Sequence, residues 1–269
     1  MKKIIKKIIR NLFLINKISK KIYSKIKNYN RFKMYDENQF ISKQDDLFSS
    51  LGLNRTYGLK KLIEIKKEYP FIQQEMSSEH QTLFASLSIS KNIKNILEIG
   101  TYDGTNAFLL SKLFPNSNIL TIDLDNEDNN FINSYDRNQS VADFCKKRDE
   151  ILNKSHNINF KKTNSLKLIF NNDKFDLIWI DGAHGYPVVC MDIVNSLKLL
   201  NSNGVIMCDD VFINKIKSDR IYQSTATFET LQELKNENII DYKLIYKRLN
   251  KENNFSEKNR KYVAVVSLK

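Results

Sequence analysis

Residues 76–269 predict an α/β fold, with helices on both faces of a mostly parallel sheet that ends in an antiparallel hairpin. Three observations carry this. Short apolar runs alternate with helical patterns from residue 95 to residue 236, the order of successive βα units. The run Phe175-Asp176-Leu177-Ile178-Trp179-Ile180-Asp181 is almost continuously apolar, as a strand covered on both faces must be. The last two runs, 242–247 and 262–268, lie too close for a helical crossover, so they should pair antiparallel.

The elements follow in order. Residues 34–75 predict a helical linker or cap, with one helical piece at 59–67. Ser78 with Gln81 three residues later predicts a capping box, followed by Leu83, Phe84 and Leu87 on an apolar helix face. Strand one is expected at 95–99, then a helix through Leu109, Leu110 and Leu113 that stops before Pro115. Strand two is expected at 119–123, an irregular loop at 125–138, a helix at 140–154 and strand three at 158–162. Strand four is the 175–181 run, followed by a helix at 188–200. Asn203-Gly204 predicts a turn before strand five at 205–208, and a helix at 227–236 precedes the hairpin. No internal repeat is present.

The net charge of +12 sits in one place. Residues 1–33 hold Lys2, Lys3, Lys6, Lys7, Arg10, Lys17, Lys20, Lys21, Lys25, Lys27, Arg31 and Lys33 without one acidic residue, and the remainder is neutral. At 100° per residue Ile4, Ile8, Leu12, Ile15, Ile18, Ile22 and Ile26 share one face of a helix, with lysines opposite. Such an arm suits an anionic membrane surface, and equally the surface of its own domain or of a partner. Lysines interrupt every apolar run, which argues against a signal peptide, and no run is long enough to span a bilayer. Nucleic acid ranks below both, because the arm lacks interleaved aromatics and the neutral domain offers no basic groove. Cys145, Cys190 and Cys208 are odd in number and lack metal-ligand spacing; Cys190 and Cys208 lie in apolar stretches, where small buried thiols are expected, and a reducing cytoplasm fits.

The segment Leu97-Glu98-Ile99-Gly100-Thr101-Tyr102-Asp103-Gly104 runs from a buried strand into a turn and then a helix start. Glycines there let the backbone approach a ligand, and the helix offers unpaired N–H groups. Asp123, ending the next strand, is placed to accept hydrogen bonds from ribose hydroxyls. The dinucleotide fingerprint needs a glycine where Tyr102 stands, which disfavours a dinucleotide and points to another adenosine-bearing cofactor.

Two further clusters fall at the C-terminal ends of strands four and five, the ligand-binding edge of open α/β sheets: Asp181-Gly182-Ala183-His184 and Cys208-Asp209-Asp210. Three carboxylates on one edge repel unless a cation neutralises them, so Asp181, Asp209 and Asp210 are candidate ligands for Mg²⁺ or Mn²⁺. His184 follows Asp181 by three residues and is the candidate base for an acceptor hydroxyl. His80 and His156 carry no such context.

Together these motifs resemble the metal-dependent O-methyltransferases of class I, nearest in Asp-Gly-x-His to those that modify macrolide sugars. The resemblance spans about residues 76–212 and implies a Rossmann-like methyltransferase sheet and S-adenosylmethionine as donor. It implies that Glu98, Gly100, Thr101 and Gly104 line the methionine end and Asp123 the ribose. Asn164 and Ser165 would meet the adenine, where an acidic residue is more usual, and Asp181 would border the cofactor as well. Asp181, Asp209 and Asp210 would hold the cation, with His184 as base and Asp181 beside it in the catalytic pair. The implied acceptor is a small or glycan-like hydroxyl compound, with the arm at the inner membrane face. The alternatives are a metal-free methyltransferase of the same fold and a tethered binding protein with a non-catalytic pocket.

Overall fold

The computed structural model describes residues 29–30, 32–72, 78–134, 140–214, 224–254, 256–257 and 260–269. The basic arm at 1–33 therefore lies almost entirely outside the described residues. Seven strands form one sheet in the order β3-β2-β1-β4-β5-β7-β6. They are β1 (Asn95–Ile99), β2 (Asn118–Asp123), β3 (Ile158–Lys162), β4 (Phe175–Ile180), β5 (Leu200–Val211), β6 (Ile240–Tyr246) and β7 (Tyr262–Leu268). The first five run parallel; β7 pairs antiparallel with both β5 and β6, as the hairpin predicts.

Alternation along each strand splits the core into two layers. Trp179 and Leu177 of β4 face one side with Met207 and Val265; Ile178 and Ile180 face the other with Ile206 and Val266. The first side is covered by α1 (Glu37–Ser50), α2 (Arg55–Glu68), α3 (Glu79–Ser90) and α4 (Thr105–Leu113), through Phe48, Leu62, Phe84 and Phe108. Of the later helices, α5 (Asn129–Ser134) and α6 (Val141–Leu152) build a small satellite core of Phe131, Phe144 and Cys145. A 3₁₀ turn (Ser165–Phe170), α7 (Val188–Leu199) and α8 (Ala226–Asn236) cover the second side; α9 (Lys251–Asn254) is a single turn.

Local chemistry sets the helix starts. Asp36 caps α1 by accepting the N–H groups of Asn38 and Gln39, Asn54 caps α2 through the Tyr57 N–H, and Ser140 caps α6 through the Asp143 N–H. The capping box predicted at Ser78 does not form. Its hydroxyl lies 2.5 Å from Nδ1 of His80 instead, so the side chain is spent on the ring rather than on the helix backbone. The turn expected at Asn203-Gly204 lies within β5, which starts at Leu200, and part of the 125–138 loop forms α5.

The helices over 37–68 also reach the sheet edge through hydrogen bonds. Gln44, fully buried, donates to the Tyr246 carbonyl and accepts the Tyr246 N–H, both at 3.0 Å. Arg55 donates to both oxygens of Glu79, at 2.6 and 3.0 Å. The Glu79 N–H, at the first turn of α3, donates to the Lys247 carbonyl at 2.9 Å.

Candidate active site at the carboxyl edge of the sheet

The turn after β1 is built for close approach. Gly100, Tyr102 and Gly104 have φ of 102°, 49° and 78°. A Cβ on Gly100 would stand 2.4 Å from the Asp181 carbonyl oxygen, so only glycine lets the β1 and β4 ends meet. Asp123, at the end of β2, accepts the Tyr102 N–H at 2.9 Å and the Leu124 N–H at 2.8 Å, tying the turn to its neighbour strand. Burial pushes the Asp123 carboxyl up, with those two N–H groups opposing.

Beneath the turn Glu98 is fully buried. It accepts from Thr121 Oγ1 at 2.5 Å and from Asn106 Nδ2 at 2.7 Å, and Thr101 and Thr121 hydroxyls are 2.6 Å apart. Burial pushes Glu98 up to about 7, against those hydrogen bonds. The Thr101 side chain is thus engaged in this buried chain. Asn164 Oδ1, expected at the adenine, accepts the Leu166 N–H and caps the 3₁₀ turn. Ser165 opens that turn near the buried Asp192 of α7, whose carboxyl burial raises to about 6 against the pull of the Ser165 hydroxyl.

Asp181, His184, Asp209 and Asp210 converge at the ends of β4 and β5, as the strand ends predict. His184 Nε2 lies 3.7 Å from Asp181 Oδ1, and the histidine side chain is 9% exposed. Burial pulls His184 down, with Asp210 and Asp209 opposing. Burial and the Asp209 charge push Asp181 well above the ordinary carboxylate range.

Three residues join this cluster without having been expected. Lys247 Nζ lies 2.5 Å from Asp209 Oδ2 and 2.5 Å from Asp210 Oδ1; Lys261 Nζ lies 2.5 Å from Asp210 Oδ2. Against the cost of burial, Lys247 holds Asp209 well below the carboxylate range, and the two aspartates hold Lys247 well above the usual ammonium range. His80 stacks on Trp179 at 4.9 Å beneath the cluster, and burial lowers it to about 4 despite Asp209. The sequence signal for the lysines was their place at the mouth of the hairpin, Lys247 opposite Lys261, beside the aspartates of β5.

This arrangement does not fit a divalent cation. Three of the four oxygens of Asp209 and Asp210 are bonded to ammonium groups, and a hard cation needs six or more oxygens. Among the described residues no group of three His, Cys, Asp or Glu is placed to hold a metal. A separate groove of about 450 Å³, lined by Asn95, Asn118, Ile158 and Phe175, opens at the opposite, amino edge of the sheet and holds none of these groups.

Residues 97–211 match the family model of a methyltransferase domain. Over that segment, somewhat less than half of its length, the chain is similar to a methyltransferase domain. The match runs from within β1 to the end of β5 and includes every charged group of this site except the two lysines and His80. Among solved structures, a SAM-bound O-methyltransferase of tomaymycin synthesis from Streptomyces achromogenes is similar at 18% identity and TM-score 0.53, covering 87% of this chain and 99% of that one. An O-methyltransferase from Bacillus cereus in complex with SAH is similar at 17% identity and TM-score 0.51, covering 79% and 90%. At these identities the likeness is one of fold, the Rossmann-like methyltransferase sheet with its closing hairpin. No curated protein matches the chain. No helix among the described residues is long and apolar enough to cross a membrane.

Proposed function

We propose that the protein is an S-adenosylmethionine-dependent O-methyltransferase acting on the hydroxyl of a small acceptor without a divalent cation. The observation that carries it is the placement of His184 and Asp181 beside the glycine turn, with Asp123 one strand away, on the single ligand-binding edge of a methyltransferase fold.

When bound, the donor supplies an electrophilic sulfonium methyl. The turn at 100–104 and the start of α4 fit its methionine end, and Asp123 its ribose. His184 would accept the acceptor's hydroxyl proton at Nε2, leaving that oxygen nucleophilic toward the donor's methyl group. Asp181 Oδ1 lies 3.7 Å from that same nitrogen, and in its ionised form it would favour the charge the imidazole acquires. Holding the acceptor oxygen in line supplies the rest of the rate through lost entropy.

The sequence's cation-assisted version lacks free ligands at Asp209 and Asp210, which favours the metal-free reading. A glycan-like acceptor at an anionic membrane face is supported by the basic arm, and loss of vesicle co-sedimentation on deleting residues 1–28 tests the membrane part. The test of the reaction is transfer of isotopically labelled methyl from S-adenosylmethionine to a panel of hydroxylated acceptors. Transfer that is lost in His184→Ala, with S-adenosylhomocysteine binding retained, supports the reading. Donor binding without transfer to any acceptor favours the non-catalytic pocket.

A further inference from the structure

Consecutive residues of a regular strand point to opposite faces, yet Asp209 and Asp210 both reach one ammonium. A bulge makes this possible. Cys208 pairs with Ala264 and Val211 with Tyr262, so two β5 residues oppose the single residue Val263, and Asp210 takes a φ of 51°. The Lys247 N–H donates to the Lys261 carbonyl at 3.0 Å, which sets the two lysines side by side across the hairpin mouth. Like charges so placed repel, and the aspartate pair is the counter-charge between them.

Lys247 is no mobile surface lysine. Its side chain is 7% exposed and that of Asp209 is 4% exposed. Its carbonyl is fixed by the first turn of α3, its N–H by Lys261, and both backbone groups of the preceding Tyr246 by buried Gln44. Three segments distant in sequence converge to deliver one ammonium to one carboxylate pair.

We propose that the Lys247 ammonium, flanked by Lys261, is the built-in cation of this site, occupying the role of a divalent ion between Asp209 and Asp210. Lys247 is a positioning residue. It neutralises the pair and fixes Asp209, whose charge bears directly on Asp181. Asp181 Oδ1 in turn lies 3.7 Å from His184 Nε2. The catalytic consequence rests on the methyltransferase reading; the electrostatic assignment does not.

The test is a Mn²⁺ titration of the EDTA-stripped full chain, followed by electron paramagnetic resonance, beside methyl transfer in EDTA. The wild type takes up no stoichiometric Mn²⁺ at the cluster, and any transfer activity is unchanged by EDTA. Lys247→Met frees Asp209 Oδ2 and Asp210 Oδ1, so Mn²⁺ affinity rises roughly tenfold or more, and adding Asp209→Asn removes the gain. Transfer falls about 100-fold in kcat with S-adenosylhomocysteine affinity kept, and Lys247→Arg recovers part of it. Stoichiometric Mn²⁺ binding by the wild type that Asp209→Asn abolishes overturns the proposal, as does activity that EDTA removes and Mg²⁺ restores. If Lys247→Met does not fold, Lys261→Met frees Asp210 Oδ2 and the wild-type titration decides alone. A protein that neither binds donor nor transfers methyl defeats the functional reading while the titration still decides this one.

Discussion

Glu98→Gln should flatten the pH dependence of stability. Glu98 is fully buried under the glycine turn, and burial raises its carboxyl from an ordinary 4.5 to about 7. A carboxyl raised on folding binds its proton more tightly in the native state. The associated stability is present in full below pH 4.5 and is lost as pH climbs through 7. Some 2.5 pH units of displacement correspond to about 3 kcal/mol, at roughly 1.4 kcal/mol per unit. The glutamine cannot ionise, so it should match the wild type near pH 4 and exceed it by about 3 kcal/mol at pH 8. Urea titrations from pH 4 to 8 measure this, with the single tryptophan, the fully buried Trp179, as fluorescent probe. Asp192, raised to about 6, adds a loss of the same sign that the substitution leaves in place. A wild-type-to-variant difference that stays constant across pH 4–8 refutes the reasoning.

Arg55→Met strips the buried Glu79 of its two-pronged partner and loosens the α3 start that holds Lys247. A loss of about 3 kcal/mol is expected, seen by scanning calorimetry as a fall of roughly 10 °C in Tm; a fall within error would mean that the pair contributes nothing. Gly100→Ala drives a Cβ to 2.4 Å from the Asp181 carbonyl, so it should cost more than about 2 kcal/mol and abolish donor binding. Gly185→Ala, where a Cβ meets nothing within 4 Å, should be nearly neutral in the same denaturant titration.

The sequence carried the parallel half of the sheet well, because strands buried on both faces must be apolar throughout: β1 and β3 fall at the predicted bounds and β4 within one residue. It also placed Asp123, Asp181, His184, Asp209 and Asp210 on one edge, since ends of parallel strands share an edge by topology. The partners of the two aspartates were not legible. Which residue neutralises Asp209 depends on a one-residue bulge in β5 and on the β6–β7 register, both settled by tertiary pairing. A lysine ending a strand looks like solvated charge until Glu79 bonds its carbonyl and Gln44 holds the preceding Tyr246, both from helices far earlier in the chain. The Ser78 capping box failed for a similar reason: packing His80 on Trp179 gives its hydroxyl a partner that local sequence does not show.

The claim on which the rest depends is that the 98–104 turn and Asp123 form a methyl-donor pocket. Isothermal calorimetry of S-adenosylhomocysteine tests it most directly. The account predicts one site per chain, weakened at least roughly tenfold in Asp123→Ala as the ribose loses its acceptor. Absence of binding by the folded wild type, or binding indifferent to Asp123→Ala, contradicts it.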